Sequence, residues 1–323
     1  GAPSMEADVE CDATQSLCNG RCLMPGESEG RCTVLARNPT TGGTGVAVVD
    51  GTPYMVGNFG LYALSDDRTD VQELVDFDRG SEFQGEFYGF RIPYLSRYAT
   101  DGTQLAYLAD RIEPQTNVVR VGDWVIFVAG FVDSVLVRVP HAGLAELPEE
   151  GFEQGMNPLV PVSLHASGSV RPNSELFADD QYVYWQTNSG LYRQAPEETE
   201  PTQISDWFVD TASFQDGHFY FFALDGITLM DEGLSLFKLP AAGGEPVELA
   251  PGEGNNYPHV VGDHVYFLDH NEATVFRVPT GGGEREPMAT LAERYHQSCD
   301  ARFADDGSTL YLACQHLIAI ALD

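Results

Sequence analysis

Lysine is nearly missing from this sequence. Lys238 stands alone among 323 residues; arginine makes up the rest of the 17 basic side chains, against 49 acidic ones, for a net charge of −32. A surface that negative repels phosphate backbones and anionic lipid, which sets nucleic acid and membrane surfaces aside as partners. Two origins of the lysine shortage stay open. One is a high-salt setting, where a charged shell is screened to a Debye length of about 3 Å near 1 M salt; the other is the preference of a GC-rich genome for arginine. Long apolar runs are missing too, none approaching the roughly 18 residues of a membrane-spanning helix. So are the signatures G-x-S-x-G, H-E-x-x-H and the P-loop. What is present, 43% hydrophobic, 11% aromatic and 20% charged residues, is the composition of a folded globular chain and excludes wholesale disorder.

The cysteines fall into two groups. Cys11, Cys18, Cys22 and Cys32 lie in CDATQSLCNGRCLMPGESEGRC, a segment too short and too poor in apolar residues to build a core, so it needs staples. Its spacing lacks the paired C-x2-C of a structural zinc site, which favours disulfides; which of the three pairings forms stays open. Cys299 and Cys314 flank the turn Asp305-Asp306-Gly307, which puts them on neighbouring antiparallel strands within bridging reach. An even count with no thiol left over points to an oxidising compartment, so the protein is expected to be secreted, periplasmic or at the cell surface. No signal peptide is visible and a mature, trimmed chain is expected; Gly1–Met5 is set aside from fold reasoning.

Further along, one pattern recurs. Second strands align as TPYMVG, TQLAYLAD, DWVIFVAG, QYVYWQ, GHFYFFA, DHVYFLD and STLYLAC, and third strands as FGLYALS, SVLVRVP, SGLYRQAP, LSLFKLP, TVFRVP and HLIAIAL. Runs of β-branched and aromatic residues bounded by Asp-Gly, Gly-Asp or Asp-Asp turns are strand signals, and no capped amphipathic helix of normal length interrupts them. Four short strands in about 40 residues is the signature of a β-propeller blade, whose two apolar faces are buried by radial stacking. The fold expected is therefore all-β, a propeller of seven blades by the count of second strands. Six stays open, because TQLAYLAD and WVIFVAG lie only about 20 residues apart; the segment 96–110 is read as a degenerate blade. The last unit, 301–323, stops after its third strand, and Cys32-Thr33-Val34-Leu35-Ala36 resembles the fourth-strand segments PVELA and MATLA. The N-terminal strand is thus expected to complete the last blade. The division that follows is a Cys-rich segment, 1–31, and a propeller, 32–323.

FADDGSTLYLA and YATDGTQLAYLA resemble the strand–Asp-Gly–strand hairpin of TolB-type propellers. VYWQTNSGLYRQAP and VYFLDHNEATVFRVPTGGG resemble the YWTD-type succession of aromatic strand, Arg-bearing strand and Gly-rich turn. The resemblance covers about 290 residues and implies a propeller in an extracytoplasmic setting, often one that binds proteins or other ligands. Tyr184-Trp185-Gln186-Thr187 comes nearest to the tetrad that names the second family, and no functional residue carries over.

Propeller ligands meet the connections from the last strand of one blade to the first of the next, which converge on the axis. Here these are expected at 37–43, 76–97, 110–116, 167–175, 206–210, 252–259 and 293–302. They hold the mixture of aromatic and oriented polar side chains that a pocket needs, and the ligand-binding candidates are Arg91, Tyr94, Glu175, Trp207, Asp210, Tyr257, His259, His296 and Arg302. The longest of them, 76–97, carries Phe77, Phe83, Phe87, Tyr88, Phe90 and Tyr94; it reads as an aromatic recognition rim or as a loop packed on its own rings. His259 and His296, with Asp210, Glu175 or Asp300, would make a mixed imidazole–carboxylate metal site. Calcium suits the acidic loops better: Asp76, Asp78 and Glu82 space oxygen ligands along one stretch, though without the third acid and closing glutamate of an EF-hand. No other cofactor is expected. The resulting reading is a monomeric extracytoplasmic module that binds a protein, peptide or glycan, and it leans away from an enzyme. A calcium-dependent hydrolase or lactonase working in the channel and a structural envelope protein are the alternatives, and fold analogy carries the choice.

Overall fold

Along DWVIFVAG, Val125 and Phe127 point one way and Ile126 and Val128 the other, and all four are buried. A strand apolar on both faces needs a packed layer on each side of its sheet. The computed structural model shows that arrangement in every blade; it describes residues 11, 15–39, 44–57, 60–65, 67–91, 94–110, 116–129, 135–147, 162–165, 175–187, 189–207, 209, 212–223, 234–251, 257–269, 272–291, 303–314 and 316–322. Among the described residues there are strands and turns but no helix.

Four short strands come first: β1 (Ser16–Cys18), β2 (Arg21–Leu23), β3 (Ser28–Glu29) and β4 (Cys32–Arg37). Blade 1 is β5 (Thr44–Val49), β6 (Thr52–Gly57), β7 (Gly60–Leu64) and β8 (Val71–Val75). Blade 2 is β9 (Arg79–Phe83), β10 (Glu86–Arg91), β11 (Tyr94–Tyr98) and β12 (Gln104–Asp110). Blade 3 is β13 (Val119–Val121), β14 (Trp124–Ala129), β15 (Val135–Pro140) and β16 (Val162–His165). Blade 4 is β17 (Phe177–Ala178), β18 (Val183–Thr187), β19 (Gly190–Gln194) and β20 (Thr202–Ser205). Blade 5 is β21 (Ala212–Gln215), β22 (His218–Ala223), β23 (Ser235–Pro240) and β24 (Val247–Pro251). Blade 6 is β25 (His259–Val261), β26 (His264–Asp269), β27 (Thr274–Pro279) and β28 (Glu286–Thr290). Blade 7 is β29 (Phe303–Asp305), β30 (Thr309–Ala313) and β31 (His316–Ala321), with β4 paired antiparallel to β31 through Ile318↔Val34 and Ile320↔Cys32. The protein is a seven-bladed all-β propeller, and the fourth strand of its last sheet comes from the N-terminal end of the chain.

Seven apolar clusters fill the gaps between blades, one per interface. Phe127 and Val125 pack back onto blade 2 with Tyr88, Leu108 and Val118, while Ile126 and Val128 pack forward onto Val183 and Trp185 of blade 4. The cluster joining blade 7 to blade 1 gathers Leu35, Tyr311 and Leu317 with Val46, Met55 and Tyr62. Period-two side-chain alternation thus places successive residues of one strand in two different cores.

Blade 2 differs from the sequence expectation. TQLAYLAD is its fourth strand, not a second strand, and residues 76–97 are not a loop but β9, β10 and most of β11. The hairpin signal was present: Gln84 and Gly85 both have positive φ (52° and 78°), the two-residue turn that matches strand twist. Its aromatic side chains are core, with Phe77, Phe87, Tyr88 and Phe90 buried. Phe77 lies over the cross-strand pair Gly80↔Gly89, where a Cβ on either glycine would collide with its ring. Four of the six aromatics are therefore the packing of blade 2 on its neighbours and not a recognition rim; Phe83 and Tyr94 stay partly exposed.

A cation on the third strand ties each of several blades to the next. Tyr88↔Arg97, Tyr184↔Arg193, Tyr220↔Lys238 and Tyr266↔Arg277 are directly opposed cross-strand pairs, and Arg138 stands opposite Ile126. Arg97 reaches His141, Arg138 donates to the Pro196 carbonyl, Arg193 to Ala241 O (3.2 Å) and Arg277 to Leu322 O (3.3 Å). Each acceptor sits just past the third strand of the following blade.

The Cys-rich segment packs on the ring. Cys18 bridges to Leu291, Asn19 exchanges hydrogen bonds with Thr290, and Cys18, Leu23 and Cys32 belong to the cluster between blades 6 and 7. Its disulfides are Cys11–Cys22 and Cys18–Cys32. Cys314 is disulfide-bonded as well; Cys299, the partner expected from sequence, lies outside the described residues.

Candidate functional site

Strand ends and connection lengths define two unlike rims. First-to-second-strand hairpins take only two to four residues, as in Asp50-Gly51 and Asp216-Gly217, whose positive φ values make tight turns. At the opposite end lie the connections between blades and those from second to third strands. Three of these are long: eleven residues before β17, eleven before β23 and twelve before β29. The hairpin rim has one long connection, 141–161.

On the innermost strands, His259 of β25 and Asp305 of β29 meet across the interface of blades 6 and 7. His259 Nε2 lies 2.7 Å from Asp305 Oδ2, both side chains remain about a quarter exposed, and the ring leans on Phe303. Burial alone would push the Asp305 carboxyl up. The His259 hydrogen bond and charge, with the Gly307 N–H, outweigh it and hold the group below the usual carboxylate range. With Nε2 engaged, Nδ1 is the ring nitrogen left for a ligand. The arrangement suits hydrogen bonding to a polar group, with the carboxylate orienting the ring. Asp305 is the residue that sequence reasoning missed, having been read as part of a turn. One signal was present: His259 opposes Tyr266 as Ala304 opposes Tyr311, which puts Asp305 one step from the histidine's register on the next blade.

The other candidates divide. Arg91, at the end of β10, is two-thirds exposed and 3.7 Å from Asp76. Tyr94 starts β11 and meets Tyr107 edge-on at 5.4 Å. Glu175 and Tyr257 are half-buried beside the starts of β17 and β25. Trp207 is turned inward, against Phe237 and Phe221 (5.0 and 6.2 Å), and serves the core of blades 4 and 5. Asp210, His296 and Arg302, like Asp300, lie outside the described residues. The acids Asp76, Asp78 and Glu82 are drawn apart by β9: Asp76 faces Arg91, whereas Glu82 accepts from Gly85 N (2.6 Å) at the hairpin end. Burial pushes the Glu82 carboxyl up, only partly offset by that N–H. Among the described residues no three His, Cys, Asp or Glu side chains gather into a metal-holding group. Asn38, Asn117 and Gln186, which carried no sequence signal, fasten this end by donating to Cys314 O and Leu176 O and accepting from Val209 N.

No protein-family model matches the sequence, and no curated protein matches it either. Solved structures do match in shape. The extracellular domain assigned to a hybrid two component system of B. thetaiotaomicron gives a TM-score of 0.59 at 14% identity, over 90% of this chain and 39% of that one. The AfRom2 CNH domain gives 0.51 at 11% identity, over 90% and 99%. TolB from Acinetobacter baumannii gives 0.42 at 7% identity, over 84% and 63%. At identities this low a likeness in shape speaks for the fold alone, and the two domains with TM-scores above 0.5 match the overall fold built up above.

Proposed function

We propose that this protein is an extracytoplasmic interaction module that holds a protein, peptide or glycan at the rim where the inter-blade connections gather. The observation that carries this reading is the asymmetry of the two rims. The hairpin rim is built of tight turns apart from one long connection, 141–161, whereas three connections of eleven or twelve residues leave from the other end, where binding residues are expected on loops held by a rigid scaffold. Arg91, Tyr94, Glu175, Tyr257 and His259, with Asp210, His296 and Arg302, are the side chains assigned to contact; Trp207 supports them from below. Disulfides in the Cys-rich segment and at Cys314 support a secreted, periplasmic or surface location. The extracellular placement of the B. thetaiotaomicron domain agrees with it.

The test is to probe peptide and glycan arrays with the labelled full chain and with Arg91→Ala, His259→Ala and, on the hairpin rim, Asp216→Ala. The expected result is a ligand bound by the parent and by Asp216→Ala but lost or weakened about tenfold or more in the other two, the cost of removing a charged or oriented contact. A ligand that depends on Asp216 and ignores both Arg91 and His259, all variants melting like the parent, places recognition on the other rim.

A further inference from the structure

We propose that the hairpin rim carries a separate binding site for one small oxyanion, between blades 2 and 3. Its centre is Glu86, at the start of β10. Glu86 accepts from Tyr88 Oη (2.9 Å) and Arg97 Nη1 (2.8 Å), lies 2.7 Å from His141 Nε2, and has Arg120 Nη1 at 3.5 Å. Two guanidinium groups therefore share a single carboxylate, an excess of one positive charge before His141 is counted. Arg138 and Arg277, by contrast, each pair with an acid of their own, Glu197 and Glu286.

Donors also outnumber acceptors. Arg97 Nη1 lies 2.6 Å from the same His141 Nε2 that faces Glu86, and one ring nitrogen cannot accept from arginine and donate to glutamate at once. Arg97 Nε is buried without an acceptor. The cluster is mostly withdrawn from water, with Arg97 and His141 at 15% exposure, Glu86 at 23% and Arg120 at 33%. A partly desolvated cation with no counter-charge is costly. Among the described residues no further acid pairs with either arginine: Glu82 accepts from Gly85 N, and Asp123 is exposed on the next hairpin. Arg120, the most exposed member, opens the cluster to solvent, and the one long connection of this rim begins at His141.

Planar guanidinium forks favour a carboxylate, sulfate or phosphate group over a spherical ion. The surrounding charge of −32 opposes any anion at long range, so the measurement belongs near physiological salt, where the Debye length is about 8 Å. The site does not depend on the reading of the opposite rim.

Isothermal titration of the full chain with acetate, sulfate and phosphate, against chloride at matched ionic strength, tests it. At least one oxyanion should bind saturably at a single site while chloride does not. Arg120→Gln should weaken that binding on the order of tenfold or more, Arg120→Lys should fall between the two, and Arg21→Gln, which removes an exposed charge elsewhere, should bind like the parent. If Arg120→Gln melts early in anion-free buffer, the comparison of Arg120→Lys with the parent decides. Absence of saturable oxyanion binding, equal binding of chloride, or undiminished binding in the Arg120 variants would overturn the assignment.

Discussion

His259 and Asp305 come from strands more than forty residues apart, and their partnership has a measurable consequence in acid. The Asp305 carboxyl is held below its ordinary value in the folded protein, so its ion pair contributes stability above the unfolded value of about 3.9 and loses it as pH falls through the lower folded value. Asp305→Asn keeps an oxygen for the His259 ring but cannot titrate. The stability difference between parent and variant should therefore be fully present near pH 6 and shrink below about pH 4, as thermal melts across that range would read. A difference independent of pH would mean that the carboxylate charge is not what His259 holds. At this scale the sequence was only partly readable. It singled out His259 and Arg91, but Phe77, Phe87, Tyr88 and Phe90 of 76–97 turned out to be core. Composition reports that rings are present and says nothing of which way a strand turns them.

The third strand is the element that repeats most informatively. Arg138 covers the Trp124 ring at 4.3 Å and donates to the Pro196 carbonyl of the next blade, so one side chain stacks, bonds and spans an interface. Arg138→Ala should cost about 1–3 kcal/mol, lowering the thermal midpoint by several degrees, with Arg138→Lys recovering part of it because the point charge remains and the planar fork does not. An unchanged midpoint in Arg138→Ala would dismiss the latch as an ornament of packing. In blades 1 and 7 the equivalent residues are Ala63 and Ala319, opposite Tyr54 and Tyr311, so the interfaces on either side of blade 1 rest on apolar packing. The aligned VLVRVP, LYRQAP, LFKLP and VFRVP show the cation at one position in sequence. The carbonyl it reaches is set by the rotation from blade to blade. Element boundaries failed in one place, blade 2, where a run of aromatics obscured the Gln84-Gly85 hairpin.

For the molecule as a whole, the ring depends on its first strand. Val34 and Cys32 are buried in the cluster between blades 6 and 7 and Leu35 in the one between blades 7 and 1. A chain lacking residues 1–36 would leave β31 as an apolar, unpaired edge, and edges of that kind associate. It should elute as aggregate and melt well below the parent, and a monomer with the parent's melting temperature would show that β4 is dispensable. The same wholeness governs salt. With −32 charges on one body, raising NaCl from about 0.01 M to about 1 M shortens the Debye length from roughly 30 to 3 Å and relieves self-repulsion; the thermal midpoint should rise along that series, and a flat or falling one would mean that the acidic shell carries no such penalty. From the sequence alone came the all-β class, the propeller, seven as the blade count and the likeness of Cys32–Ala36 to a fourth strand. All of these follow from alternation and turn dipeptides, which act between near neighbours along the chain. Only the tertiary structure decided that Cys11 pairs with Cys22 and Cys18 with Cys32, that Asp305 faces His259, and that two arginines crowd one Glu86. Those partners are brought together by the angle and stagger between sheets, and spacing along a chain does not encode either.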